Sequence, residues 1–148
     1  ERLPEVVKTQ IEDLRASHSF LDMVRSAIPV EKHAETLAKW PSVEHKVVQV
    51  HPDTGEKILV LGGWATHLTN FHSGGRVRCG QDVWQAGGDL FQYLMSQACI
   101  PEYQVRWRWK KNSVAIWDNR STQHYAAMDY PPSHRKMERA GIMGDTPF

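Results

Sequence analysis

Only two cysteines, Cys79 and Cys99, occur in the 148 residues, and neither lies in a Cys-x-x-Cys pair or beside a second histidine at zinc spacing. That scarcity argues against a disulfide-stapled scaffold or a zinc finger and suits two unpaired thiols in a reducing compartment. Cys99 ends a helical pattern and is expected in the core; Cys79, between arginines and a glycine, is expected at the surface. A surplus of one charge is lacking too, with 18 Lys and Arg against 17 Asp and Glu for a net +1. No long basic run or basic amphipathic helix is present, which argues against nucleic-acid and membrane-surface roles. Arg76, Arg78, Lys110 and Lys111 are too scattered to alter that. No apolar run approaches the roughly 20 residues of a membrane span, and no secretory signal is visible. The cytoplasm is the expected compartment.

What is present is a hydrophobic fraction of 41% with six tryptophans, enough for a core. Residues 1–148 read as a single domain or a large portion of one. Pro4 to Ala16 has the period of a helix, with Pro4 near its first turn and Val7, Ile11 and Leu14 on one face. Phe20 to Ala27 reads as a loop or short helix, and Val30 to Trp40 as a helix bounded by Pro29 and Pro41. Val43 to Val50 and Lys57 to Leu61 are β-rich runs around an Asp53-Thr54-Gly55 turn, a hairpin signature. Gly62-Gly63 ends the second run, and Trp64 to Gly88 sustains no period and reads mostly as loop. Gly74-Gly75 lacks the third glycine or the Gly-Lys-Ser/Thr continuation of a phosphate cradle.

Asp89 is placed to cap a helix whose Leu90, Leu94 and Ala98 recur on one face, widened by Phe91 and Met95. Pro101 stops it. Val105, Trp107 and Trp109 alternate with Arg106 and Arg108, the period of a strand packed on one face. The alternation also has the look of a nucleic-acid stacking platform, but no other basic cluster joins it. Val114-Ala115-Ile116-Trp117 is a continuous apolar run, expected as a strand buried on both faces. Short β elements with helices outside them leave a sandwich and a barrel equally open.

Chemistry concentrates in the last third. Trp117-Asp118-Asn119-Arg120-Ser121-Thr122-Gln123-His124 is followed by Arg135 and Arg139. An imidazole suits divalent iron, and a planar guanidinium matches a carboxylate or sulfonate through two parallel hydrogen bonds. Arg135, Met137 and Arg139 share strand parity, so both arginines are expected to point inward, with His134 and Glu138 outward. Buried guanidiniums need anionic partners, which here means small anions or acidic side chains. Taken alone, His124 is more often a structural histidine than a ligand. Asp118, Asn119 and Arg120 read as braces that satisfy backbone groups at the end of the preceding strand.

Several stretches in order carry a resemblance: Gln104-Val105-Arg106-Trp107-Arg108-Trp109, Val114 to Arg120, Thr122-Gln123-His124-Tyr125-Ala126, Asp129-Tyr130, Arg135, Met137, Arg139 and Gly144 to Phe148. Leu14 to Phe20 and Val50 to Lys57 belong with them. Together they resemble the C-terminal part of the taurine dioxygenase family, the iron(II)- and 2-oxoglutarate-dependent oxygenases that include alkylsulfatases and phenoxyacetate-degrading enzymes. Residues 61–88 are the least similar.

The resemblance implies a mainly β (α+β) fold with flanking helices, part of a double-stranded β-helix, or jelly roll. It makes His124 the distal iron ligand and Arg135 the partner of the distal carboxylate of 2-oxoglutarate. Arg139 goes to the anionic end of the substrate or to the cosubstrate carboxylates, and Trp64 to a hydrophobic wall of the substrate pocket, with Ala65 as the alternative for that position. It implies Fe(II) and 2-oxoglutarate as cofactor and cosubstrate, dioxygen and a small anionic sulfonate, sulfate ester or carboxylate as reactants, and succinate as product.

In the resembling enzymes, a His-x-Asp pair N-terminal to these stretches supplies the other two iron ligands, so residues 1–148 look like the second half of such an enzyme. His51-Pro52-Asp53 spells the pair, but the resemblance places it in a turn, and Pro-Asp-Thr-Gly is turn chemistry. Asp118 as a replacement ligand is the lesser alternative. The competing reading is a non-catalytic remnant that binds an anion or serves as an interaction domain; assembly with a separate N-terminal half is a third. Exposed strand edges of a half-barrel invite pairing, so a homo-oligomer is expected.

Overall fold

The structure, a computed structural model, describes residues 2–71 and 85–144. Four helices are described: α1 (Glu5–Ile11), α2 (Phe20–Val24), α3 (His33–Lys39) and α4 (Gln85–Ser96). The five strands are β1 (Arg15–His18), β2 (Val43–Lys46), β3 (Val48–Val50), β4 (Lys57–Leu59) and β5 (Ala65–Leu68). β1 is the centre of an antiparallel sheet in the order β2-β1-β5, and β3 and β4 form a separate antiparallel pair. No described helix is long and apolar enough to cross a membrane.

The helix expected over Pro4 to Ala16 ends at Ile11, because the chain turns there and Leu14 leads into β1, which takes up Arg15 and Ala16. The Leu14 amide donates to the Ile11 carbonyl at 3.1 Å, and the next amide, Arg15, donates to Asn70 Oδ1 at 2.7 Å, outside any helical ladder. Leu14 and Ala16 then reach the core at strand period, with Ala16 facing both neighbours, His45 on β2 and Leu68 on β5. The run expected from Val43 to Val50 divides at Val47. This fully buried residue donates to Leu14 and accepts from Val60, joining the β1 sheet to the hairpin.

The hairpin forms where expected. Val48 pairs with Leu59 and Val50 with Lys57. Gly55 takes a φ of +72° in the turn, a conformation that carries little strain only for glycine, and its amide donates to the His51 carbonyl at 2.9 Å.

Ile11, Leu14, Ala16, Val47, Leu61, Phe91 and Leu94 form the buried centre. α4 covers it with Phe91 and Leu94, each worth about 1.5–3 kcal/mol of apolar burial. Phe71 lies against Gly87, where an added Cβ would stand 3.1 Å from its ring. Three expectations for this region are corrected. Asp89 lies inside α4 and does not cap it, since the helix already runs from Gln85. Ala98 and Cys99 are exposed, because the α-helix gives way to a single 3-10 turn after Ser96 and their face leaves the core. Of the stretch from Trp64 to Gly88, expected mostly as loop, the described part carries β5 and the start of α4. Cys79 and Gly74-Gly75 lie outside the described residues.

The strands expected at residues 105–109 and 114–117 are absent. Val105 is 90% exposed and Ile116 93%. Alternation and apolar runs encode a strand only when a neighbour supplies the ladder and covers the apolar face. Among the described residues no strand lies beside these stretches. For the same reason Arg135, Met137 and Arg139 do not point inward from a strand; they lie exposed on irregular backbone.

Candidate functional site

The β3–β4 turn builds one side of the site. His51 is buried at 6% exposure, and its Nδ1 accepts from the amides of Asp53 and Thr54 at 3.2 and 3.3 Å. With Nδ1 accepting, the ring proton sits on Nε2, which donates to Asp118 Oδ2 at 2.8 Å. Both ring nitrogens are therefore engaged, and His51-Pro52-Asp53 serves as a turn and not as a metal pair.

Asp118 is also bound by Arg120. Its Oδ1 accepts from the Arg120 amide at 2.8 Å and Nε at 3.0 Å, and its Oδ2 accepts from Nη2 at 2.8 Å. The Arg120 guanidinium and then His51 hold the Asp118 carboxyl well below the usual carboxylate range, while Asp118 and Asp53 raise the Arg120 guanidinium. Arg120 Nη2 reaches on to Asp53 Oδ2 at 2.7 Å, back on the hairpin turn. Asp118 and Arg120 thus act as braces, and the saturated carboxylate of Asp118 does not suit a replacement iron ligand. Asn119 is exposed. Thr122 closes the turn by donating through its amide and hydroxyl to the Asp118 carbonyl at 3.1 and 2.5 Å.

Gln123 then donates through Nε2 to the carbonyl of Leu61, and His124 follows. The His124 ring packs at a tilt on Trp117, centroids 4.8 Å apart, and is exposed. Among the described residues no hydrogen bond occupies either ring nitrogen. An imidazole so disposed fits a single metal-ligand position, and the described residues contain no group of three His, Cys, Asp or Glu able to hold a metal.

Arg135 lies with its guanidinium carbon 5.5 Å from the Tyr130 ring centroid, a cation–π contact. Arg139 is exposed. Among the described residues no hydrogen bond, ion pair or ring contact joins either arginine to His124, so the structure does not assemble these three expected groups.

Trp64 lines a cavity of about 470 Å³ with His18, Ser19, Phe20, Trp40, Pro41, Val43 and His45. Phe20 stacks on Trp64 at 5.4 Å and tilts toward Trp40 at 6.1 Å. The Ser19 amide donates to the Trp64 carbonyl at 2.9 Å, and the Ser19 hydroxyl caps α2 through the Asp22 amide at 3.2 Å. Burial, with a smaller contribution from His45, depresses the His18 pKa, outweighing its 3.1 Å contact to the Ala16 carbonyl. His18 therefore meets the cavity as a neutral imidazole at pH 7. Sequence reasoning named Trp64 and missed His18, Trp40 and His45. The pairing of Ala16 with His45 and His18 with Val43 brings these together, and only a correct β1–β2 register would have revealed it.

Comparison with known proteins bears on this site. A profile described as "Taurine catabolism dioxygenase TauD, TfdA family" matches residues 1–140. An alkylsulfatase of Acinetobacter baylyi is 37% identical over 98% of this chain and 44% of its own length. An alpha-ketoglutarate-dependent sulfate ester dioxygenase of Pseudomonas putida is 32% identical over 99% of this chain and 48% of its own. The chain spans about half the length of the curated relatives it matches. The solved structure of AAD-2 in complex with Mn(II) and N-oxalylglycine aligns with a TM-score of 0.55 at 23% identity, over 74% of this chain and 38% of that one. That likeness agrees with the expected fold, part of a 2-oxoglutarate oxygenase jelly roll. The profile match extends from the first residue through α1, the hairpin, the Asp118–His124 segment and both arginines, and the chain belongs to the taurine catabolism dioxygenase TauD, TfdA family.

Proposed function

We propose that this protein is an Fe(II)- and 2-oxoglutarate-dependent dioxygenase that hydroxylates a small anionic organic substrate, a sulfonate, sulfate ester or carboxylate, while 2-oxoglutarate is converted to succinate and carbon dioxide. The observation that carries the reading is the His124 imidazole, exposed at the end of a braced segment with no hydrogen bond to either nitrogen among the described residues, within a chain of this family. Iron(II), when bound, supplies the oxidative chemistry. His124 holds one position on the metal. Arg135 pairs with the distal carboxylate of 2-oxoglutarate, and Arg139 receives a carboxylate of the cosubstrate or the anionic end of the substrate. Trp64, with Phe20 stacked on it, walls the organic part of the substrate and excludes water from it.

Both arginines are solvent-exposed in the structure and so are available to anions without first breaking a described ion pair. The relatives named for sulfate esters and alkyl sulfates favour that end of the substrate range. A cytoplasmic location belongs to the same reading, given the two cysteines free of any motif.

The test is succinate formation with Fe(II), 2-oxoglutarate and a panel of alkyl sulfates, sulfonates and aryloxy carboxylates. Succinate that rises with one class of substrate supports the dioxygenase. No succinate with any of them, together with retained binding of the same anions, moves the assignment to a non-catalytic anion-binding or interaction domain.

A further inference from the structure

Residues 104–144 contain neither helix nor strand, so no ladder fixes where His124 stands. Among the described residues, the hydrogen bonds and ion pairs that tie residues 105–144 to the rest of the chain come from Asp118, Arg120 and Gln123. The partners are His51, Asp53 and the Leu61 carbonyl, all on the β3–β4 hairpin or its exit. Of these links, His51 to Asp118 is the one with a buried side chain, and it is the most constrained. The turn amides of Asp53 and Thr54 fix the ring orientation and the tautomer, leaving Nε2–H a single outward direction.

We infer that His51 is a positioning residue for the metal-ligand segment: through Asp118 it sets the turn over residues 118–122 that presents His124. The sequence of constraints is continuous. The hairpin turn orients the His51 ring, and the ring orients the Asp118 carboxylate. That carboxylate accepts from the Arg120 amide, and the Asp118 carbonyl accepts from Thr122, which closes the turn. Gln123 clamps the next residue to Leu61, directly before His124. A single ring accepts from two turn amides and donates across to another segment, a division of labour that no aliphatic or hydroxyl side chain reproduces.

The inference rests on the reading of His124 as a metal ligand, and the experiment separates the two. In the full native chain, cobalt(II) is titrated as the probe metal, with circular dichroism and thermal unfolding of the metal-free protein measured in parallel. The variants are His51→Ala, His51→Asn, His51→Gln and His124→Ala. Asn offers the turn an acceptor but is too short to reach Asp118, so His51→Asn keeps the fold testable if His51→Ala does not fold. Gln extends a donor to the Nε2 position. Loss of a supporting shell weakens metal binding by about tenfold or more, and that is the effect expected for His51→Asn and His51→Ala, with His51→Gln largely restored. Folded His51 variants that bind cobalt(II) as the parent does, while His124→Ala binds it weakly, overturn the positioning role and leave the metal-ligand reading intact. Unchanged cobalt(II) binding by His124→Ala overturns the ligand reading, and the inference with it.

Discussion

Asp118 and Arg120 form a bidentate pair across two positions of chain, Nε to Oδ1 at 3.0 Å and Nη2 to Oδ2 at 2.8 Å. The guanidinium fork matches the two carboxylate oxygens, and the charge on both groups shortens the bonds. The pair sits at the surface with partial exposure, so its strength is tempered by solvent.

Its sign with pH is fixed. The Asp118 carboxyl is depressed in the folded chain, so the stability from its ionised form is fully present above the unfolded value of about 3.9 and is lost as pH falls below it. Asp118→Asn is expected to lower the unfolding temperature at pH 7 and to flatten its dependence below pH about 4. Calorimetric scans from pH 3 to 7 check this, and parallel curves for both proteins would contradict it.

Two glycines in α4 are expected to respond differently to alanine. Gly88 is exposed with nothing within 4 Å of an added Cβ, so Gly88→Ala should stabilise by about 0.5–1 kcal/mol through helix propensity and a less flexible unfolded chain. At Gly87 the Cβ meets Phe71 at 3.1 Å, and the gain is cancelled or reversed. Urea unfolding of the two variants measures the difference.

Most of the helix and hairpin layout was legible because it depends on local signals. Pro29 and Pro41 bound the turn of 3-10 helix at Val30–Lys32 and α3, and Pro52 to Gly55 makes the β3–β4 turn. Leu14 was misassigned because one apolar residue fits helix and strand periods equally, and tertiary pairing of β1 with β2 and β5 decided it. Val105 to Trp109 misled for the opposite reason: the pattern is that of a strand, but a strand is a property of two segments. The bracing role of Asp118 and Arg120 was legible from their chemistry. Its partner His51 was read as part of a turn, and the bond across 67 positions had no local signature.

Arg135→Ala is expected to raise the KM for 2-oxoglutarate about tenfold, in line with loss of a charged hydrogen bond, while leaving the unfolding temperature nearly unchanged. The side chain is exposed, and its described contact is the Tyr130 ring. Steady-state kinetics beside thermal unfolding separates the two effects.

β2 and β5 are the outer strands of their sheet, and β3 and β4 pair only with each other among the described residues. Open edges favour pairing with a second copy, and the protein is expected to be a homo-oligomer. Light scattering at micromolar concentration tests this; a monodisperse monomer would contradict it.

The most direct measurement of the central claim is succinate release from 2-oxoglutarate by the parent protein and by His124→Ala under identical iron and substrate. The account predicts that the substitution abolishes turnover while the protein remains folded, because the exposed His124 ring packs on the exposed Trp117. Equal succinate from both proteins would contradict it.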